Sequence, residues 1–498
     1  MVFGGLVVAV GLLLFDRTLP EYVDESDNLV GGQLLTRGLR LYVDYFSQHM
    51  PVPYLFAAVG TWLGARDLVG YRTAFIVLVG ITLAVTSLHL RRRLSPVLLA
   101  CVFVSFGVAH PIFNGYMLLA DHFFAISLLI IALLFLANDV DFSLPEQIAL
   151  SLCSFVALQS TLISIYPLAW IAACYVVRKC TSSRWLWRSE VRFMAVLAAP
   201  HLFLLVVLVQ QGMLGDLIDQ AVVFNQRYYS HYDIGTDPLS ILRTSMADFS
   251  GMVVRYLRPG AWREVETVLL LSNIFAIVLL WRRRGWLFGV FYAGLVVFSR
   301  MRGPGYHGAP YFAISFLSMG LLVAWGVDLL VQLWHERAAR SSHWLAGLCA
   351  AAYVGYFVLF IHDIGGFYLR LPRAQDLRSP YTDAVLANSQ PDEPIWGAPN
   401  LPYLYLQAGR LPASRYAYYQ PWLADSPTIS RRVLDDLRRR RPPVIVFELD
   451  KHIEWNFPLP TPAEYAAPIS ALLSEQYAPL DAADPVLKNV YVRQDRRP

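Results

Sequence analysis

Apolar runs recur along this chain, several of them reaching the length needed to cross a bilayer, and few folds can accommodate them. They fall at Val2–Phe15, Ala74–Leu90, Leu94–Ala109, Phe123–Leu136, Ile148–Gln159, Ile163–Val177, Met194–Val209, Val268–Trp281, Trp286–Phe298, Tyr311–Leu333 and Trp344–Ile361. A hydrocarbon core of about 30 Å takes roughly 20 residues of helix, and within it every backbone N–H and C=O must be satisfied internally. The pattern predicts a polytopic α-helical membrane protein with about eleven transmembrane helices. Composition agrees: of 498 residues, 56% are hydrophobic and 16% charged. The formal charge of +4 provides no basic field for nucleic acid.

The first run lacks a basic leader and a small-residue cleavage site, so it reads as a span rather than a signal peptide. Basic clusters at Arg91–Arg93, Arg178–Arg192, Arg282–Arg284 and His335–Arg340 mark one side of the membrane, the cytoplasmic one. Even numbers of spans must separate them, which requires two short spans within 148–177, a stretch that length alone leaves as one or two. Parity then puts the N-terminus in the cytoplasm, with loops 16–70 and 212–266 and the tail from His362 outside, as expected of a bacterial inner-membrane protein. The expected domains are a transmembrane module over 1–361 and an extracytoplasmic α/β domain over 362–498. In the tail, helix-like stretches alternate with β-rich ones such as Pro394–Ala398, Val444–Glu448 and Asn489–Arg493.

Chemistry concentrates in the first outer loop. Glu21, Asp24, Glu25 and Asp27 place four carboxylates in seven residues just beyond a span, tolerable only in water or a polar cavity. Asp24 and Glu25 also open an expected helix over 25–38, where acidic side chains oppose the helix dipole. Capping and general-base roles are both open on residue type. His110 and His201 lie at or within apolar runs and read as satisfied core groups. The five cysteines show no metal-ligand spacing, and no phosphate loop or nucleophile elbow is present. The spans hold almost no charge away from their ends, which disfavours a carrier with a mid-membrane ion site.

The order of parts resembles the GT-C glycosyltransferases, specifically the bacterial dolichyl-phosphate-mannose-protein mannosyltransferase-like group (glycosyltransferase family 39) with its aminoarabinose transferase relatives. The matching elements are Asp24-Glu25 after the first span, a helix ending near Gly38, His49–Pro53, Arg72, Arg91–Arg93, Asp121, and Arg302 with His307 to Phe312. The resemblance implies that Asp24 is the catalytic aspartate, with Glu25 its neighbour in the motif. It further implies that Asp121 is a second acidic residue, near a divalent metal (Mg or Mn) in some relatives. One departure is Asp27-Asn28, where the lipid A transferases tend to carry a basic residue.

Transfer from a polyprenyl-phosphate sugar needs a base for the acceptor hydroxyl and cations for the departing phosphate. Arg300, Arg302 and His307 in the loop 299–310 suit that phosphate, or else anchor the chain at the interface. His49 and, in the segment 224–232, Asn225, Tyr228 and Tyr229 suit a sugar or acceptor platform, or an aromatic interface belt. The expected function is an inverting glycosyltransferase moving a sugar from a polyprenyl-phosphate donor to a lipid, glycan or protein acceptor on the outer face. The alternatives are a ligase or polymerase using a lipid-diphosphate donor, and a transporter of lipid or glycan.

Overall fold

The computed structural model describes residues 1–20, 22–181, 187–232, 238–256, 265–301, 308–336, 351–359, 361–362, 378–451 and 459–496. The chain is a polytopic α-helical membrane protein with a small sheet in its C-terminal region. Among the described residues, seven helices are long and apolar enough to cross a membrane, and four shorter apolar helices accompany them. The stretch 148–177 resolves into two helices, Leu144–Leu158 and Ile165–Thr181, separated by a 3-10 turn at Leu162–Ser164. Of the last expected span, Trp344–Ile361, the described part is helical over 351–359, and 344–350 and 360 lie outside the described residues.

Two compact units form, each from three separate segments: 1–19, 72–207 and 238–373 in the first, and 20–71, 208–237 and 374–498 in the second. In the first unit, α1 (Val2–Asp16) packs on α5 (Pro96–Ala109). Small residues allow the approach: a Cβ on Gly107 would lie 2.4 Å from the Ala9 Cα. Helix α6 (Ala120–Asn138) is apolar on every side and is buried over most of its length. By contrast α4 (Leu68–Leu90) turns Ile81, Val85 and Leu88 outward, as a lipid-facing helix does.

Arg72, on α4, is fully buried. Its Nη1 donates to the carbonyls of Arg17 (2.9 Å) and Leu19 (2.5 Å), and its guanidinium lies 4.8 Å from the centre of the Tyr116 ring. A cation at the C-terminal end of α1 both satisfies carbonyls the helix leaves open and complements its dipole. His110, expected to be satisfied by a carbonyl or water, has Gly107 O at 2.6 Å from Nδ1 and the Asp16 carboxylate at 3.1 Å from Nε2.

In the second unit the segments 20–71 and 208–237 fold together with the tail. Strands β1 (Trp396–Ala398), β2 (Val444–Phe447), β3 (Tyr477–Pro479) and β4 (Val490–Arg493) form one sheet in the order β1-β2-β4-β3. Only the β1–β2 pair is parallel. The helix Pro427–Arg440 buries Ile429, Val433 and Leu437, spaced four apart along one face, against this sheet's core. Phe46 and Phe224, from those two segments, belong to the same core as Tyr416, Tyr418 and Trp422 of the tail. The tail is therefore held by a core that it shares with segments 20–71 and 208–237, not by cross-links.

Helices α2 (Val23–Thr36) and α3 (Val52–Trp62) cross tightly at a glycine pair. A Cβ on Gly31 would meet the Tyr54 ring at 2.4 Å, and one on Gly32 would meet the Ala57 Cβ at 2.4 Å and the Ala58 N at 2.7 Å.

Candidate active site

That crossing determines what the carboxylates of α2 can do. Asp27, one turn into the helix, is buried, and each of its oxygens takes a tyrosine hydroxyl. Tyr45 donates to Oδ1 and Tyr54 to Oδ2, both at 2.5 Å. Ser47 Oγ in turn donates to the Tyr54 hydroxyl at 2.7 Å. Burial pushes the Asp27 carboxyl above its ordinary value, and the nearby Asp24 charge adds to the rise. The His49 ring and the two tyrosine hydroxyls pull the other way. With both oxygens engaged, Asp27 is an anchored acceptor rather than a group that can reach a substrate.

Asp24 precedes it by three residues, on the same side of α2, and remains partly exposed. It is the second residue of the helix, where the N-terminal end of the dipole favours a charged carboxylate. Tyr22 stands at the N-cap without a side-chain capping bond, so the helix start is not closed by the usual hydroxyl or carboxylate. Glu25, expected beside Asp24 in the site, is instead fully buried in the unit.

The other expected residues separate into distinct roles. The His49 ring is an electrostatic partner of Asp27, while its carbonyl accepts from the Tyr42 hydroxyl at 2.9 Å. Asn225 spends its Nδ2 on the carbonyls of Gln48 (2.8 Å) and Ala221 (2.9 Å), which ties segments 20–71 and 208–237 together. Tyr228 stacks obliquely on Phe224, with ring centres 5.5 Å apart, and Tyr229 meets Trp422 edge-on at 5.3 Å. Both pack against the aromatic core of the tail.

In the first unit, Asp121 opens α6 and is 3% exposed. Among the described residues, no three His, Cys, Asp or Glu side chains are grouped so as to hold a metal ion. Arg300 is 5% exposed, with Asp248 and Glu266 carboxylates each 3.6 Å away and the Tyr311 ring beneath it. A cation already faced by two carboxylates is a poor receiver for a lipid phosphate. Arg302 and His307 lie outside the described residues.

Sequence reasoning gave no role to Tyr45 or Tyr54, and it took Tyr418 only as part of the run Tyr416–Tyr419, whose rings suit either a cavity wall or an exposed polar surface. The Tyr418 hydroxyl lies within electrostatic reach of Asp27, Asp24 and Tyr229, and the side chain is 6% exposed. Burial first, then the two carboxylates, holds its phenol well above the usual value, so it stays protonated. The only advance signal was the density of tyrosine at 416–419, since nothing local says which ring turns toward α2.

No family model matches the chain, and no curated protein sequence does. Solved structures do. ArnT from Cupriavidus metallidurans in the apo state aligns with a TM-score of 0.53 and 13% identity, over 98% of this chain and 96% of that one. The same protein bound to undecaprenyl phosphate gives 0.43 and 17%, over 82% and 84%. The archaeal oligosaccharyltransferase AglB from Archaeoglobus fulgidus, in complex with an inhibitory peptide and a dolichol-phosphate, gives 0.44 and 10%, over 90% and 69%. The first of these alignments shows that this chain, a polytopic membrane protein, shares the fold of that transferase.

Proposed function

We propose that the protein is a membrane glycosyltransferase that moves a sugar from a polyprenyl-phosphate donor to an acceptor on the outer face. The observation that carries the reading is the pair on α2: a partly exposed Asp24 at the helix start, one turn before an Asp27 locked by two tyrosines. A base must be accessible yet held to a fraction of an ångström. Asp27, Tyr45 and Tyr54 fix the helix on which Asp24 rides.

In the proposed step, Asp24 takes the proton of an acceptor hydroxyl as its oxygen bonds to the anomeric carbon of the sugar. The bond between that carbon and the phosphate oxygen breaks, and its electron pair leaves with the polyprenyl phosphate. Attack opposite the leaving group inverts the anomeric centre. Arg302 and His307 are proposed, from sequence, as the cations for the departing phosphate. Arg300 is left out of that role because Asp248 and Glu266 already face it. The shared fold with ArnT supports this class of chemistry, since that protein has been solved with undecaprenyl phosphate. The distribution of arginine clusters supports the outer face.

The test is consumption of donor. Membranes carrying the protein, supplied with radiolabelled undecaprenyl-phosphate sugars, should release undecaprenyl phosphate and accumulate label in an acceptor fraction. Membranes without it should do neither, and equal release from both would refute the proposal.

A further inference from the structure

The Tyr418 hydroxyl is buried with no hydrogen-bond partner among the described residues. Two residues on, Gln420 is 2% exposed and its Oε1 is likewise unmet. Such groups cost free energy that phenylalanine or an apolar residue would avoid, and natural chains rarely keep them without use. The surroundings narrow the use. Tyr418 lies in reach of Asp24 and Asp27, both acidic, which disfavours a phosphate there. Its ring meets Phe46 edge-on at 6.3 Å within the aromatic cluster that includes Tyr416 and Trp422, with Tyr229 packed against it. Aromatic faces beside carboxylates and unmet hydroxyl or amide groups are the surface a neutral sugar ring fits, with its apolar face on a ring and its hydroxyls shared among acceptors and donors.

We propose that Tyr418 donates its hydrogen bond to a hydroxyl of a neutral sugar ring seated beside Asp24, so that the C-terminal segment supplies part of the substrate site. The proposal rests on the transferase reading for its meaning but not for its test. Tyr418 comes from the tail and Asp24 from the first outer segment, and both belong to the second unit. The ring could be that of the acceptor or the sugar of the donor, and the probes separate the two.

Full-length protein and its Tyr418→Phe variant, in lipid nanodiscs, are compared for two classes of probe. Methyl α-D-mannopyranoside, methyl β-D-galactopyranoside and methyl β-L-arabinopyranoside are read by saturation-transfer NMR. Undecaprenyl phosphate and undecaprenyl-phosphate mannose are read by native mass spectrometry. The expected result is binding of at least one sugar probe that weakens about five- to tenfold in Tyr418→Phe, the loss of one hydrogen bond, with Tm unchanged. Weakening confined to the methyl glycosides identifies the acceptor ring. Weakening of undecaprenyl-phosphate mannose with undecaprenyl phosphate unaffected identifies the donor sugar. Equal binding by both proteins, or no sugar probe bound by the wild type, overturns the proposal. So does a lowered Tm with parallel loss of undecaprenyl phosphate, which marks a structural role. Because the readout is binding, an Asp24→Asn variant that still transferred sugar would defeat the base assignment and leave this result standing.

Discussion

Gln220 holds Ser47 from 173 residues away: its Oε1 accepts the Ser47 backbone N–H at 3.0 Å, while its Nε2 donates to the Tyr42 carbonyl at 2.5 Å. Arg415 makes the matching closure from the tail. Its carbonyl accepts the Phe46 N–H at 2.9 Å, and its guanidinium donates to the same Tyr42 carbonyl. Tyr42 itself sits at φ 68°, in the left-handed region that a side chain rarely adopts. Two remote segments therefore fasten the stretch that carries Tyr45, and with it one of the two donors to Asp27.

Gln220→Ala would leave the buried Ser47 N–H without its acceptor. The expected loss is about 1–3 kcal/mol of stability, the usual cost of an orphaned buried group. Chemical denaturation of the purified protein, followed by tryptophan fluorescence, measures it. Gln220→Glu keeps the acceptor and loses the donor to Tyr42, whose carbonyl retains Arg415, and should fall between wild type and Gln220→Ala.

Gly32→Val should be among the most damaging single changes in the outer segments. The new side chain would meet backbone atoms of α3 rather than a flexible tip, with the Tyr54 O and Ala58 N both 2.7 Å from even a Cβ. The loss should reach the upper end of the roughly 1–3 kcal/mol that overpacking costs. Transfer activity should fall with it, because the Tyr54 hydroxyl is displaced from Asp27. Thermal unfolding and a transfer assay on the same preparation test both halves.

Asp27 gives stability a pH dependence of definite sign. Burial raises its carboxyl in the folded state, so the folded protein holds that proton to higher pH than the unfolded chain does. The contribution is fully present below the unfolded value of about 3.9 and is lost as pH rises through the folded one. Asp27→Asn removes this titration. The Tm of the wild type relative to that of the variant should therefore fall as pH rises through the folded value, and parallel curves would contradict the assignment.

The cation assignment separates by kinetics. Arg302→Ala and His307→Ala should raise the KM for the polyprenyl-phosphate donor or lower kcat, and leave Tm unchanged. Arg300→Ala should instead destabilise the protein, since it strips the half-buried Glu266 of its 3.6 Å partner. Steady-state kinetics beside thermal unfolding distinguish the two patterns.

Much of the membrane part was legible because its signals are local. Apolar runs and arginine clusters located the spans and favoured two helices within 148–177 over one. The tail's helix Pro427–Arg440 was visible in the spacing of Ile429, Val433 and Leu437. The site was legible only in part. Four carboxylates after a span marked the segment, the family resemblance pointed to Asp24 with Glu25 beside it, and Glu25 proves buried. What distinguishes them is which side of α2 meets α3, and Gly31 and Gly32 decide that through contacts with residues more than twenty positions on. Asp27 read as a departure from a pattern, whereas its meaning lies in Tyr45 and Tyr54, 18 and 27 residues away. Tyr418 and Gln220 are further still, and no periodicity reports pairings of that range. Arg300 matched the chemistry of a phosphate site by type, and only its neighbours Asp248 and Glu266 show that its charge is already met.

The most direct test of the account is sugar transfer by Asp24→Asn in membranes supplied with the polyprenyl-phosphate donor, set beside Asp27→Asn and the wild type. The account predicts that Asp24→Asn folds with an unchanged Tm and loses transfer by about a hundredfold or more, as removal of a general base does. Asp27→Asn should keep measurable transfer with an altered Tm. Full transfer by Asp24→Asn would contradict the central claim.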